Sequence, residues 1–174
     1  MRLFVALVPP PAVRTRLACA LPALPVGPQF RPVAPDRWHV TLAFLGEVPD
    51  DEPLRAPLAA AAAGGGPLAL SVTGAATFPS ALYVGVEGPG LADLAARVRE
   101  ELLAAGQPAG DRRRWRGHLT IARGRAVRVV PGLPRVPVAW RADRVSLVHS
   151  LVGPEGGYQE LAGWALGAVP VPSA

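Results

Sequence analysis

One five-residue segment occurs twice in this 174-residue chain, as His39-Val40-Thr41-Leu42-Ala43 and as His118-Leu119-Thr120-Ile121-Ala122. In the first copy Trp38, Val40, Leu42 and Phe44 alternate with His39, Thr41, Ala43 and Leu45, the period-2 pattern of a strand with two unlike faces. Residues i and i+2 of a strand point the same way. Each copy therefore sets an imidazole and a hydroxyl side by side while its aliphatic residues anchor the opposite face. Two such strands facing one another enclose a cleft with two imidazoles and two hydroxyls. A lone His-x-Thr is as well explained by a half-buried histidine beside a β-branched residue. Here, however, two of the chain's three histidines hold equivalent places in a repeat, and that coincidence points to chemistry. His149 has no such companion and reads as structural or exposed.

The rest of the chain alternates between strand and helix periods, with turns marked by 21 prolines and 19 glycines. Residues 2–8 read as a buried first strand that stops at Pro9-Pro10-Pro11. Val13, Leu17 and Leu21 recur at helical spacing, with Pro22 and Pro25 as the stop and Cys19 near the apolar side as a small core residue. Residues 23–35 read as loop. A helix begins near Asp50-Asp51-Glu52 and ends at the glycines after Ala63. Leu68, Leu70 and Val72 pair with Leu82, Val84 and Val86 across the Phe78-Pro79-Ser80 turn. The clearest helix carries Leu91, Leu94, Ala95, Val98 and Leu102 on one stripe and stops at Gly106. Strands follow at about Trp115–Arg123, Ala142–Leu151 and from Tyr158 to about Val169. The order is that of an α+β fold, with helices backing mostly antiparallel sheet in one domain spanning residues 1–174. The uncharged stretch from Ala56 to Val86 is interrupted by Gly64-Gly65-Gly66-Pro67 and Pro79, which excludes a membrane span by this reading.

The paired histidines suit displacement at phosphorus. That reaction needs a base for the attacking hydroxyl, an acid for the leaving oxygen, and donors for the charged equatorial oxygens. Imidazoles titrate between pH 5 and 8, so one can be neutral while the other is protonated, and threonine hydroxyls with an arginine can hold the phosphate. No metal and no cofactor is called for: His-Glu-x-x-His and paired-carboxylate motifs are absent from the sequence.

Charge narrows the classes further. The chain has a net charge of +5, all eighteen of its basic residues are arginine, and without lysine it cannot form a Schiff base, a lysyl-nucleotide intermediate or a lysine-bearing phosphate loop. Its single cysteine forms no internal disulfide, which fits a reducing, cytoplasmic setting. Seven arginines fall between residues 112 and 128 with no acid among them: Arg112, Arg113, Arg114, Arg116, Arg123, Arg125 and Arg128. Interleaved with Trp115, they are what a groove for a nucleic-acid backbone requires, although a solvated loop explains the 112–114 triplet equally well. Trp115 itself reads either as a core anchor or as a stacking platform.

The segments Arg37-Trp38-His39-Val40-Thr41-Leu42-Ala43-Phe44-Leu45-Gly46 and Gly117-His118-Leu119-Thr120-Ile121-Ala122-Arg123 resemble the 2H phosphoesterases, and among them the RNA 2′,3′-cyclic phosphodiesterases once described as 2′-5′ RNA ligases. Arg2-Leu3-Phe4-Val5-Ala6-Leu7 is similar to that family's opening strand and Ser150 through Tyr158 to its closing segment. The resemblance implies a pseudo-twofold α+β fold, two duplicated lobes around a central cleft with one His-x-Thr strand each. It also implies metal-independent hydrolysis of a terminal RNA 2′,3′-cyclic phosphate to a 2′-phosphomonoester. His39 is then the proton donor to the departing 3′ oxygen, His118 the base for water, Thr41 and Thr120 the phosphate-oxygen donors and Arg123 the neighbouring cation. Strict alternation sets Arg123 on the face opposite His118, so its role requires a bulge or a twist near Gly124. Gly117 stands where the family usually has proline.

The expected partners are RNA ends or nucleoside 2′,3′-cyclic phosphates, met by a monomer. Two other readings keep the same fold. In one the protein is a binding module for RNA ends or nucleotide phosphates with negligible turnover. In the other it runs the reaction backwards and seals 2′,5′ ends.

Overall fold

The computed structural model describes residues 1–21, 30–110, 115–124, 138–151 and 156–167. In chain order its elements are β1 (Arg2–Leu7), α1 (Pro11–Ala20), β2 (Phe30–Pro32), a single 3₁₀ turn (Pro35–Arg37), β3 (Val40–Glu47), α2 (Glu52–Ala63), β4 (Leu68–Phe78), β5 (Ala81–Glu87), α3 (Leu91–Ala104), β6 (His118–Gly124), β7 (Ala139–Ala142), β8 (Arg144–Ser150) and β9 (Tyr158–Ala165). Eight strands run in the order β7-β4-β5-β6-β3-β1-β8-β9, every neighbouring pair is antiparallel, and β2 lies beside the far end of β6.

That order is a mirror. Strands β6 and β3 meet at its centre, flanked by β5 and β1, then β4 and β8, then β7 and β9. The chain builds β1 and β3 of one half, crosses through α2 to build β4 to β7 of the other, and returns for β8 and β9. One copy of the His-x-Thr repeat thus opens β6, and the other starts at His39, one residue before β3, and runs into it.

The helices cover one face of this sheet. Leu91, Leu94, Ala95, Val98 and Leu102 of α3 are all buried, as are Leu54, Leu58, Ala61 and Ala62 of α2. They pack with Val40, Leu42, Leu119 and Ile121, the aliphatic residues of the two repeats. A leucine or valine fully withdrawn from water contributes about 1.5–3 kcal/mol, so this face fixes which side of β3 and β6 is left for His and Thr.

Four readings of the sequence need correction. Cys19 is exposed, because α1 buries Val13 and Leu17 and a residue two positions beyond Leu17 lies on the other side of the helix. The segment 23–35 is not all loop: Phe30–Pro32 pairs with β6 through Phe30 and Gly124, Arg31 and Arg123, Pro32 and Ala122. Residues 115–117 precede β6 rather than belonging to it. The strand expected at Ala142–Leu151 is β8, Arg144–Ser150, paired with β1 and β9, and the expected order lacks β7, Ala139–Ala142, which pairs with β4 just before it.

Candidate active site between the paired histidine strands

Strands β3 and β6 touch where Val40 faces Leu119. Continuing that antiparallel register sets His39 across from Thr120 and Thr41 across from His118. Val40 and Leu119 are fully buried, whereas His39, Thr41, His118 and Thr120 are half-buried on the opposite, open face. The four repeat residues singled out from the sequence thus share one surface.

Both imidazoles are tethered alike. Nδ1–H of His39 donates to the Arg37 carbonyl at 2.8 Å, and Nδ1–H of His118 donates to the Arg116 carbonyl, also at 2.8 Å. A carbonyl only accepts, so each Nδ1 keeps its proton and each Nε2 is the atom left to exchange one. The tether spans two residues in each case. Arg37-Trp38-His39 and Arg116-Gly117-His118 show that spacing in the sequence, although no periodicity marks it as a tether.

Rings hold the imidazoles from the side. Phe4 lies 4.6 Å from His39 between centroids and Tyr158 lies 5.0 Å away edge-on. Phe78 and Tyr83 pack edge-on against His118 at 5.1 and 5.3 Å and are themselves stacked at 4.3 Å. Sequence patterning marks none of these four as a cleft residue. The usable signal is that Phe4 and Tyr158 fall in the segments similar to the family's opening strand and closing segment; Tyr83 on β5 and Phe78 at the end of β4 carry none. In this setting His39 is lowered to about 4, chiefly because burial disfavours the charged ring. The Arg37 carbonyl pulls the other way, and the Arg123 guanidinium and His118 lower it further.

Arg123 acts on His39, so it stands by the cleft, and the pairing shows how. Leu82 pairs with Ala122 and Tyr83 with Thr120, which leaves Ile121 as an extra residue of β6. After this bulge the alternation resumes one step out of phase. Arg123 becomes exposed on the side of His118 and Thr120, while Ile121 and Ala122 are both buried. The bulge lies three residues before Gly124. The same device occurs in the other half, where Val5 pairs with Ala43 and Ala6 with Thr41 and Leu42 is left over. Phe44 is thereby turned to the cleft at the place that mirrors Arg123, and it is 53% exposed.

Of the remaining candidates, Arg116 is exposed beside the cleft. Trp115 is half-buried, packs on the core and donates Nε1–H to the Thr41 carbonyl at 2.9 Å, which ties the segment before β6 to β3. Arg112, Arg113 and Arg114 lie outside the described residues. Among the described residues no three His, Cys, Asp or Glu side chains gather as metal ligands, and no helix is long and apolar enough to cross a membrane.

A mirrored sheet that presents one His-x-Thr strand from each half to a common cleft defines a two-histidine phosphoesterase fold. The family model of the 2′-5′ RNA ligase superfamily matches residues 11–154. The chain is 32% identical over 179 aligned positions to an RNA 2′,3′-cyclic phosphodiesterase of Thermus thermophilus, covering 90% of this chain and 85% of that one. Against the RNA 2′,3′-cyclic phosphodiesterase of Geobacillus stearothermophilus it is 40% identical over 94 residues, 49% of this chain and 30% of the relative. Among solved structures, TT0787 of Thermus thermophilus superposes with a TM-score of 0.82 at 28% identity, covering 96% of this chain and 98% of that one. E. coli LigT complexed with 3′-AMP gives 0.78 at 28% identity, with 95% and 97% covered. The chain belongs to the 2′-5′ RNA ligase superfamily and, within it, to the RNA 2′,3′-cyclic phosphodiesterases.

Proposed function

We propose that this protein hydrolyses the terminal 2′,3′-cyclic phosphate of RNA to a 2′-phosphomonoester, with His39 and His118 exchanging the protons and no metal taking part. The observation that carries the reading is the matched pair of Nε2 atoms on one face of β3 and β6, each freed by an Nδ1 bond to the carbonyl two residues earlier. The relatives named above are RNA 2′,3′-cyclic phosphodiesterases, which supports the same substrate.

In the reaction so assigned, water attacks phosphorus and passes a proton to Nε2 of His118. The P–O3′ bond breaks, and Nε2–H of His39 protonates the leaving oxygen. The Thr41 and Thr120 hydroxyls and the Arg123 guanidinium hold the equatorial oxygens as charge builds on them. His39 is neutral in the empty cleft at pH 7, so as the donor it takes up its proton together with the anionic substrate, whose negative charge opposes the effect of Arg123. We place the protein in the cytoplasm as a monomer, a single domain acting on RNA ends or on nucleoside 2′,3′-cyclic phosphates, with Arg112, Arg113, Arg114, Arg116 and Trp115 flanking the bound strand.

Purified protein in EDTA opens a nucleoside 2′,3′-cyclic phosphate under this scheme. His39→Ala and His118→Ala each lose about 10²-fold or more in kcat, the usual worth of a positioned acid or base. Activity retained in the double variant would overturn the mechanism.

A further inference from the structure

The roles assigned to the two histidines give the cleft a direction. Water attacks phosphorus from the His118 side, and the departing 3′ oxygen, in line with it, lies towards His39 together with the terminal sugar. The 5′ oxygen of that sugar carries the rest of the RNA. The chain therefore leaves over the half of the sheet that holds β1, β8 and β9.

The open face of that half suits such a course. A recess of about 130 Å³ lies beside His39 among Phe4, Trp38 and Tyr158. Val8 and Glu160 border it and also border a second recess, of about 230 Å³, so the two adjoin. Phe4 pairs with Val148 and Ala6 with Ser146 across β1 and β8, and Arg144, two residues before Ser146, falls on the same face. Strand rise sets Arg144 about 13 Å from Val148, so the second recess lies beyond the terminal nucleotide. Three guanidiniums border it, from Arg14, Arg141 and Arg144, with Asp143 and Glu160 beside them. Arg144 is engaged by Glu160: Nε–H and Nη2–H both donate to Oε1, at 3.0 and 2.7 Å. It lies over Gly163, where a Cβ would overlap the guanidinium. Arg14 gives one N–H to the Asp36 carbonyl at 3.0 Å. Among the described residues neither Arg14 nor Arg141 has a carboxylate partner, and Arg141 is exposed. Each guanidinium thus keeps donors in the fork that grips a phosphate.

We infer that the RNA chain 5′ of the cyclic phosphate runs from His39 over this half, and that Arg14 and Arg141 hold a backbone phosphate upstream of the terminal nucleotide. Through that contact the enzyme prefers an RNA end to a mononucleotide, and it does so by charge, whatever the bases. The inference rests on the phosphodiesterase reading above, with His39 on the side of the departing oxygen, and adds to it the length of substrate that is read.

The test compares kcat/KM for a trinucleotide and a mononucleoside 2′,3′-cyclic phosphate. Wild-type protein favours the trinucleotide by about tenfold or more, mainly through KM, and loses the preference when the internucleotide linkages are uncharged methylphosphonates. Arg14→Gln combined with Arg141→Gln brings the ratio close to one, while lysine at both positions keeps most of it. Arg14 is bonded to the turn before His39, so Arg141→Gln alone, shown by a melting curve to be folded, must lower the ratio as well. A wild-type ratio near one, a neutral trinucleotide favoured as strongly as the charged one, or a ratio that the glutamine variants leave in place overturns the inference. Hydrolysis of the mononucleoside substrate leaves the phosphodiesterase reading standing in each of those cases. If neither compound is opened, that reading falls, and the same comparisons made on binding decide the course of the chain by themselves.

Discussion

His39 and His118 share a tether but not a setting, and the difference sets what pH should do to binding and the leaving group to the rate. Burial, with Arg123 and His118 nearby, keeps His39 neutral down to about pH 4 in the free protein. As the proposed acid His39 must carry a proton that the free ring holds only near and below pH 4. Binding of substrate at neutral pH is therefore coupled to uptake of a proton by His39, and affinity for a non-hydrolysable analogue weakens as the pH rises. Calorimetry of that binding in buffers of different ionisation enthalpy shows the uptake, which His39→Ala removes. Binding by the parent protein with no proton uptake would mean that His39 does not gain the proton the scheme requires. A second measurement assigns the roles. With sulfur in place of the bridging 3′ oxygen the leaving thiolate needs no acid, so His39→Ala regains most of its lost rate on that substrate and His118→Ala does not. Rescue of His118→Ala instead would reverse the two assignments.

At the scale of the element, the cleft depends on where β3 and β6 begin and where they slip. Gly117 precedes His118 and leaves no room for a side chain: a Cβ there would come within 2.5 Å of the Val86 carbonyl and 2.9 Å of a Leu91 methyl. The same contact carries the bond from the Val86 N–H to the Gly117 carbonyl at 2.9 Å. Gly117→Ala must push β6 away from β5 and move His118 with it. We expect a loss of about 1–3 kcal/mol in stability, typical of overpacking, together with a fall in kcat larger than that of a surface Gly→Ala control. Denaturant titration alongside steady-state kinetics reads both. An unchanged midpoint and rate would mean that the β5–β6 contact yields freely. Much of this architecture was legible in the sequence. The repeat, the helix stripes and the pairing of β4 with β5 all follow from apolar spacing, because burial acts on each residue according to its period. The bulges were not legible. An extra aliphatic residue such as Leu42 or Ile121 leaves the composition of a strand unchanged while reversing every face after it, which is why alternation alone set Arg123 and Phe44 on the wrong side. Strand β7 was not legible for a different reason: its four residues, Ala139–Ala142, are too few for an alternation to show.

For the whole molecule, the mirrored sheet gives two equivalent halves, and charge is what makes them unlike. Residues 112–128 carry seven arginines and no acid, while the remaining eleven arginines meet thirteen acids, so the rest of the chain is slightly negative. The basic character is thus gathered around the second histidine strand, on the side where Arg116 and Trp115 border the cleft. Neutralising phosphates releases counterions, and the salt dependence of binding counts how many: each contact to a single strand steepens the fall of log affinity with log salt by about 0.7. Replacing Arg112, Arg113 and Arg114 together by glutamine should therefore flatten the salt dependence of KM for an oligonucleotide 2′,3′-cyclic phosphate by about 2, and leave that for a mononucleoside substrate, which reaches no further than the cleft, nearly as it was. Equal slopes for the triple variant and the parent on the oligonucleotide would show that these arginines only solvate a loop. A slope that flattens while the oligonucleotide still binds but is never opened, even with both histidines intact, would instead favour a module that holds RNA ends without turning them over.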